Sequence, residues 1–249
     1  MRKALIGLYT YAEFFFLAVV FLVPMGLAAI IHRPEPGRRR RGRWMRRFGR
    51  TTSSLTPLWR FSIEGAPPED IRQRPYVVVS NHQSAADPFL LSWLPWDMRW
   101  IAKEELFRLP LLGWLLRLGG DIPVRRGHGR SVNAMLGTCL DTLAADVPVM
   151  IFPEGTRSPD GELLPFKDGA FELAIRAGVP ILPIALHGTH HCRPKGSLWF
   201  GEAKAVARVL EPLPTAGLSL DDVPKLRDQA RERIAAALGA LMNDNGARP

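Results

Sequence analysis

The chain has few cysteines and no charge imbalance outside its N-terminal part. Its 249 residues include only Cys139 and Cys192, which do not form a CxxC pair. Two isolated cysteines exclude a disulfide-stabilised scaffold and a cysteine-rich zinc module. There is no internal repeat, and apolar residues make up 47% of the sequence against 23% charged residues. This composition is typical of a globular protein, and the length suits one α/β domain with a short appendage.

The net charge of +9 comes almost entirely from one segment. Residues 33–50 contain nine arginines and one glutamate, whereas residues 51–249 carry 22 positive and 22 negative charges. A nucleic-acid-binding tail and a solvated basic linker are both consistent with such a cluster. An apolar segment directly precedes it, however, and basic residues beside an apolar segment attract anionic lipid headgroups. The cluster therefore favours membrane phospholipids over nucleic acid as its partner.

The apolar segment covers residues 4–23 and contains a single charged residue, Glu13. As a helix it would be about 30 Å long, which matches the hydrocarbon thickness of a bilayer. Inserting Glu13 costs about 2.5–3.5 kcal/mol, and the Leu, Ile, Phe and Val side chains return roughly 4–7 kcal/mol. Pro24 and Gly26 allow a kink or a pair of short helices. A cleaved signal peptide is the alternative, which the arginines oppose because they mark a cytoplasmic flank.

From residue 61 onward, short apolar runs alternate with segments of helical periodicity. Apolar runs without polar alternation indicate strands covered on both faces, as in a parallel sheet built from βαβ units. We predict strands at 76–80, 122–125, 148–152 and 181–186, and helices at 85–93, 111–118, 131–145, 169–177 and, from apolar residues at steps of three and four, 226–241.

These patterns predict an α/β fold with a mixed, largely parallel sheet flanked by helices, preceded by an N-terminal membrane helix or helix pair. The predicted division is a membrane anchor over 1–32, a basic interfacial linker over 33–60 and the α/β domain over 61–249.

A histidine and an aspartate lie where the first of these strands gives way to a helix. The segment reads NHQSAAD over residues 81–87, and α/β folds carry functional groups at such boundaries. The Asp87 carboxylate can hold the His82 ring and stabilise the imidazolium that forms when His82 accepts a proton. No G-x-S-x-G segment occurs and neither cysteine is near in sequence, so this base suits activation of a substrate hydroxyl. The alternative is a helix-capping asparagine beside a purely structural His–Asp hydrogen bond.

A second polar segment, FPEGTRS at 152–158, follows another predicted strand. Gly155 permits a close backbone approach or a positive φ, and the planar guanidinium of Arg157 suits a phosphate group. Glu154 either holds that arginine or contacts a substrate. A surface ion pair at the exit of a strand is the alternative.

Together the two segments resemble those of the glycerophospholipid acyltransferase family, and most closely those of 1-acylglycerol-3-phosphate acyltransferases. The order and spacing of His-x-x-x-x-Asp and FPEGTRS are those of the family. Residues 103–126 look like its second motif, with a lysine, Pro-x-x-Gly and a terminal arginine, and VPILPIA at 179–185 looks like its fourth. The resemblance covers residues 77–188.

The resemblance implies transfer of a fatty acyl group from a thioester to the sn-2 hydroxyl of lysophosphatidic acid, giving phosphatidic acid. His82 would be the general base and Asp87 would orient it. The thioester would be acyl-CoA or acyl-carrier protein, with no cofactor and no metal, and the catalytic domain would face the cytoplasm at the cytoplasmic membrane. The substrate-binding residues implied are Lys103, Arg125, Arg126, Glu154, Gly155, Thr156 and Arg157.

Other functions stay open at this point. A sibling enzyme would acylate another lysolipid, such as a lyso-ornithine lipid. A non-catalytic adaptor would bind anionic lipid through residues 33–50, and a nucleic-acid module would use the same arginines. His187, His190, His191 and Cys192 lie close together, but no second group of ligands supports a zinc site.

Overall fold

The computed structural model describes residues 2–31, 39–125, 127–193, 196–197 and 199–246. The strands are β1 Trp59–Glu64, β2 Val77–Ser80, β3 Arg99–Lys103, β4 Ile122–Val124, β5 Val149–Ile151, β6 Ile181–His187 and β7 Ala203–Val209. The helices are α1 Arg2–Ile31, α2 Arg39–Leu55, α3 Asp87–Leu91, α4 Leu112–Gly119, α5 Gly129–Ala144, α6 Gly169–Ala177, α7 Thr189–Cys192 and α8 Val223–Gly246. Two 3₁₀ turns cover Glu104–Arg108 and Leu220–Asp222.

The strands form a sheet in the order β1-β7-β6-β2-β5-β3-β4. β2 is parallel to β5 and to β6, β5 is parallel to β3, and β3 is parallel to β4. β7 is antiparallel to β6, and β1 is parallel to β7. The predicted mixed, largely parallel sheet is therefore confirmed. Its topology also places the carboxyl ends of β6, β2, β5, β3 and β4 along one edge.

The central strand β2 is buried along its whole length because both of its faces are covered. Val77 and Val79 belong to a core that includes side chains of α5, α6 and α8. Tyr76 and Val78 belong to a second core that includes Leu90 of α3. Alternate residues of a strand point to opposite faces, so one apolar run supplies both layers.

The structure adds three strands that apolar runs alone did not predict, namely β1, β3 and β7. β1 and β7 carry charged side chains at one face, and β3 begins with Arg99, which is only 1% exposed. Arginine is rarely buried, so a charged residue at this position did not indicate a strand. The sheet also begins at Trp59, within the segment predicted as linker.

The basic segment is a helix over its described part, Arg39–Leu55. Phe48, Thr52 and Ser53 are buried, whereas four of its arginines are exposed, namely Arg40, Arg43, Arg47 and Arg50. Phe48 lies in a cluster with α1 and with Leu115 of α4. The helix is stabilised because one of its faces packs against α1 and α4. Residues 32–38 lie outside the described part of the chain.

The apolar segment is a single helix, α1, that continues through Pro24 without dividing into two. Residues 5–31 are long and apolar enough to cross a membrane. Glu13 is 7% exposed on the face that packs against the protein, so its carboxyl group does not interrupt the outer face. The exposed apolar side chains follow helical spacing along that outer face: Leu5, Leu8, Tyr9, Phe15, Phe16, Val19, Val20, Val23, Leu27, Ile30 and Ile31.

Candidate active site

The parallel strands bring most of the predicted site residues to one edge of the sheet. His82 follows β2, Glu154 follows β5, Lys103 ends β3 and Arg125 follows β4. Neighbouring strands lie about 4.8 Å apart, so β3 and β4 lie roughly 10 and 14 Å from β2 along the sheet. The long side chains of lysine and arginine can cover much of that distance. Arg126 lies outside the described residues.

His82 is held by the carboxylate predicted to orient it. Its Nδ1 lies 2.6 Å from Oδ2 of Asp87, which is 0% exposed. The same oxygen accepts hydrogen bonds from the backbone N–H groups of Gln83 at 2.8 Å and Ser84 at 3.0 Å. An oxygen that accepts two backbone hydrogen bonds is the acceptor for His82 as well, so Nδ1 carries the hydrogen. This tautomer leaves Nε2 with the lone pair that a general base needs.

Phe152 fixes the plane of the imidazole. The two rings stack with centroids 4.0 Å apart and an angle of 15° between their planes. Phe152 follows β5, the strand next to β2, so sheet pairing places it beside His82. The sequence motif includes this phenylalanine, but nothing in the sequence alone indicated its contact with the histidine.

Asn81 does not cap a helix, which corrects the structural alternative for this segment. Its side-chain amide donates to the carbonyl of Leu186 at 2.8 Å and accepts from the N–H of the same residue at 2.8 Å. The N-cap of α3 is Ala86, which makes no side-chain cap. Asn81 thus joins the end of β2 to β6, and it fixes the backbone directly before His82.

Glu154 links the second motif to the backbone of His82. Its Oε1 accepts from the His82 N–H at 3.2 Å, and the Ser158 N–H donates to the His82 carbonyl at 2.8 Å. Burial raises the pKa of Glu154 to about 7, and the nearby Asp87 carboxylate acts in the same direction. The residue is 3% exposed. These contacts give Glu154 a positioning role toward His82.

The raised pKa makes stability depend on pH. The folded chain binds the Glu154 proton more tightly than the unfolded chain, so the free energy of unfolding should fall as pH rises from 4.5 to about 7. The loss is about 3 kcal/mol at 1.36 kcal/mol per pKa unit. Urea denaturation at pH 5, 6, 7 and 8 should show this part of the slope in the wild-type chain and not in Glu154→Gln.

Asp121 serves as the control, because burial also raises its pKa to about 7. The Asp121→Asn variant should keep the part of the slope that Glu154 supplies. Identical slopes for the wild-type chain and Glu154→Gln would contradict this assignment.

The turn at residues 155–157 of the second motif reaches the surface. Gly155 has a φ of +70°, Thr156 is exposed and Arg157 is half-buried. Lys103 and Arg125 are also exposed. Lys167 is a cation near this motif that was not predicted, and its Nζ lies 3.0 Å from the position that a Cβ atom at Gly155 would occupy. A lysine directly before a helix that packs near the motif was the signal that could have pointed to it.

Cys192 lies nearer to the His–Asp pair than the sequence suggested. It is buried in a cluster with Leu58, Trp59 and Ala86, the residue before Asp87. Burial raises the pKa of its thiol, and the Asp87 carboxylate raises it further. A buried neutral thiol is a poor nucleophile, so its proximity does not make it a reactive group. Within the described ranges, no three His, Cys, Asp or Glu side chains are placed to share a metal ion.

A separate cavity of about 360 Å³ lies at the opposite edge of the sheet. Its lining includes Asp97, shortly before β3, and Pro148, directly before β5. Arg46 also lines the cavity, and its Nη2 forms an ion pair with Oδ1 of Asp97 at 3.1 Å. This cavity is therefore remote from His82, which follows the carboxyl end of β2.

The site thus consists of a buried carboxylate–histidine pair at the carboxyl edge of the parallel strands, beside a loop with an arginine. The chain belongs to the acyltransferase family, because the family model described as Acyltransferase matches residues 62–187. This range includes both the His82–Asp87 pair and the FPEGTRS segment. The resemblance on which the sequence analysis relied is confirmed.

Three individual proteins show which members of the family this chain is similar to. The crystal structure of the 1-acyl-sn-glycerophosphate (LPA) acyltransferase PlsC from Thermotoga maritima has a TM-score of 0.74 and 28% identity, over 100% of this chain and 98% of that chain. The human 1-acyl-sn-glycerol-3-phosphate acyltransferase alpha is 39% identical over 190 residues, which are 74% of this chain and 66% of the relative. The chloroplastic enzyme BAT2 of Brassica napus is 37% identical over 191 residues, 76% of this chain and 54% of the relative. The chain spans about half to two thirds of the length of these two curated relatives.

Proposed function

We propose that the chain is a 1-acylglycerol-3-phosphate O-acyltransferase, which transfers a fatty acyl group from a thioester to the sn-2 hydroxyl of lysophosphatidic acid. The observation that carries this proposal is the His82–Asp87 pair, with Nδ1 protonated and Nε2 available at the edge of the sheet. The names of the curated relatives and of the solved structure support lysophosphatidic acid as the acceptor.

The reaction needs a base for the acceptor hydroxyl. His82 Nε2 takes the hydroxyl proton as the oxygen attacks the thioester carbonyl, and Asp87 stabilises the imidazolium that results. When the tetrahedral intermediate collapses, the C–S bond breaks and the imidazolium returns its proton to the leaving thiolate. Transfer is direct, without an acyl-enzyme, since Ser84 donates its hydroxyl to the Arg193 carbonyl at 3.1 Å and Cys192 is buried.

The acceptor's phosphate requires cations at a fixed distance from the base. Arg157 is the proposed group most directly linked to the base, because the N–H of its neighbour Ser158 donates to the His82 carbonyl. Lys103 and Arg125 lie farther along the same edge. A guanidinium binds phosphate with two parallel N–H bonds, which also fixes the orientation of the glycerol. Thr156 and Gly155 supply the exposed surface of the loop between these groups.

The substrate is a lipid, so the enzyme must meet a membrane. The outer face of α1 is a continuous apolar stripe, and α2, which packs against α1, adds exposed arginines such as Arg40 and Arg50. An apolar face inserts among acyl chains while basic residues attract anionic headgroups. We place the chain at the cytoplasmic membrane with the catalytic domain on the cytoplasmic side, since arginines flank membrane segments on that side.

One experiment tests both the reaction and the membrane association. The intact chain is mixed with vesicles of phosphatidylglycerol and phosphatidylethanolamine that contain lysophosphatidic acid, and acyl-CoA or acyl-carrier protein with a labelled acyl group is added. We expect the protein to float with the vesicles and labelled phosphatidic acid to form with at least one donor.

Parallel vesicles that contain a lyso-ornithine lipid in place of lysophosphatidic acid serve as the control for the acceptor. Acylation of that lipid alone would contradict the acceptor proposed here. Flotation without acylation of either lipid would instead favour a lipid-binding adaptor.

A further inference from the structure

Lys167 lies across the loop that carries the second motif. Its Nζ, Cε and Cδ lie 3.0, 3.2 and 3.4 Å from the position that a Cβ atom at Gly155 would occupy. The lysine side chain therefore runs along the backbone at Gly155, through space that any other residue at position 155 would fill. A glycine at this position both adopts the φ of +70° and leaves room for the lysine.

The backbone around Lys167 is fixed while its ammonium group is not. The Lys167 N–H donates to the carbonyl of Pro153 at 2.9 Å, and the preceding Phe166 is buried in the core. The carboxylate of the neighbouring Asp168 forms an ion pair with Arg227, in which Oδ1 lies 2.8 Å from Nη1. The Lys167 ammonium group itself makes no hydrogen bond or ion pair with any residue that the structure describes. The Lys167 ammonium group is therefore exposed and available to bind an anion.

The loop beneath this ammonium group is bonded to the proposed base. Glu154 and Ser158, on either side of Gly155, hold the N–H and the carbonyl of His82. In lysophosphatidic acid, one methylene and one ester oxygen separate carbon 2, which bears the reacting hydroxyl, from the phosphorus atom. Lys167 therefore lies against the same loop that holds the backbone of His82.

We propose that Lys167 binds the phosphate of the acceptor and selects a phosphate monoester over a phosphate diester. This inference rests on the proposed function and names the acceptor class of the same site. A monoester carries a second negative charge above a pKa of about 6, whereas a diester carries one charge. An ammonium group against the loop that carries Arg157 stabilises the doubly charged headgroup more than the singly charged one, because the attraction grows with the product of the charges.

Lys167→Met tests the proposal, since methionine keeps the apolar stem and removes the charge. We expect the KM for lysophosphatidic acid to rise about tenfold, as for the loss of one hydrogen bond to a charged group, while kcat and the KM for the acyl thioester change less than twofold. Lys167→Arg should restore most of the affinity. Lys225→Met, which removes an exposed charge on α8, is the matched control and should behave like the wild-type chain.

The substrate series separates a charge effect from a structural one. The KM for a lysophosphatidylglycerol, which is a phosphate diester, should rise less in Lys167→Met than the KM for lysophosphatidic acid does. An unchanged KM for lysophosphatidic acid, or an equal rise for the diester, would overturn the role of Lys167. If the wild-type chain does not acylate lysophosphatidic acid at all, the proposed function itself fails, and this outcome is distinct from the other two.

A second substitution tests the contact between the two residues. Gly155→Ala introduces a Cβ atom against Lys167 and also strains the backbone at positive φ. The strain is common to both backgrounds, but the displacement of the ammonium group occurs only where the lysine is present. We therefore expect Gly155→Ala to raise the KM less in the Lys167→Met background than in the wild-type chain. Additive effects on log KM would contradict the contact.

Discussion

The His82→Gln variant is expected to turn over at least a hundredfold more slowly than the wild-type chain, with little change in stability. Glutamine keeps a polar side chain next to Asp87 but cannot accept and return a proton near neutral pH. A general base contributes about 10²–10⁴ to a rate, so the loss should appear in kcat. Initial rates of phosphatidic acid formation from labelled acyl donor measure it directly.

A second histidine provides the control for this substitution. His191 is exposed on α7, and His191→Gln should keep the activity of the wild-type chain. Circular dichroism and thermal unfolding should show that both variants fold. A His82→Gln chain with activity within tenfold of the wild type would mean that the acceptor hydroxyl is activated by another group.

Local sequence was sufficient to predict the pairing of His82 with Asp87. Five residues across a strand-to-helix turn bring the two side chains together whatever the remainder of the fold does. The alternation of apolar runs and helical periodicity likewise predicted the central strands β2, β5 and β6. Both kinds of signal depend only on residues that are near one another in the chain.

Contacts across the sheet could not be predicted in the same way. Phe152 stacks on His82 because β5 lies beside β2, and Asn81 joins Leu186 because β6 lies on the other side. Neither pairing follows from the chain order, in which β3, β4 and β5 all come after β2. The contact of Lys167 with Gly155 depends on where α6 begins, and no spacing in the sequence states it.

Strand β3 was not predicted, because a charged residue in a sequence usually indicates an exposed position. Arg99 is 1% exposed at the start of β3, and the Trp100 N–H donates to Oδ1 of Asp121 at 3.2 Å. The Arg99 guanidinium lowers the pKa of Asp121, while burial raises it by more. In the sequence, an arginine and an aspartate that interact inside the protein look the same as an arginine and an aspartate exposed to water. Only the structure distinguishes the two arrangements.

Replacing Asp87 by asparagine and by alanine should separate the charge of this residue from its hydrogen bonds. Asparagine can place its amide oxygen where Oδ2 accepts from Gln83, Ser84 and His82, so Asp87→Asn should fold and be more stable than Asp87→Ala. The neutral amide does not stabilise the imidazolium, and we expect kcat to fall about a hundredfold or more. The measurement is kcat with saturating lysophosphatidic acid, beside urea denaturation of the same preparation.

Asp87→Ala should lose the same activity and stability as well. It leaves two buried N–H groups without an acceptor, and each unsatisfied donor costs about 1–3 kcal/mol. The residue is 0% exposed, so water does not replace the carboxylate as a partner without rearrangement of the turn. The decisive comparison is between the two variants: equal activity losses with unequal stabilities separate the electrostatic role from the structural one. An Asp87→Asn chain with wild-type kcat would show that Asp87 serves only to hold the turn.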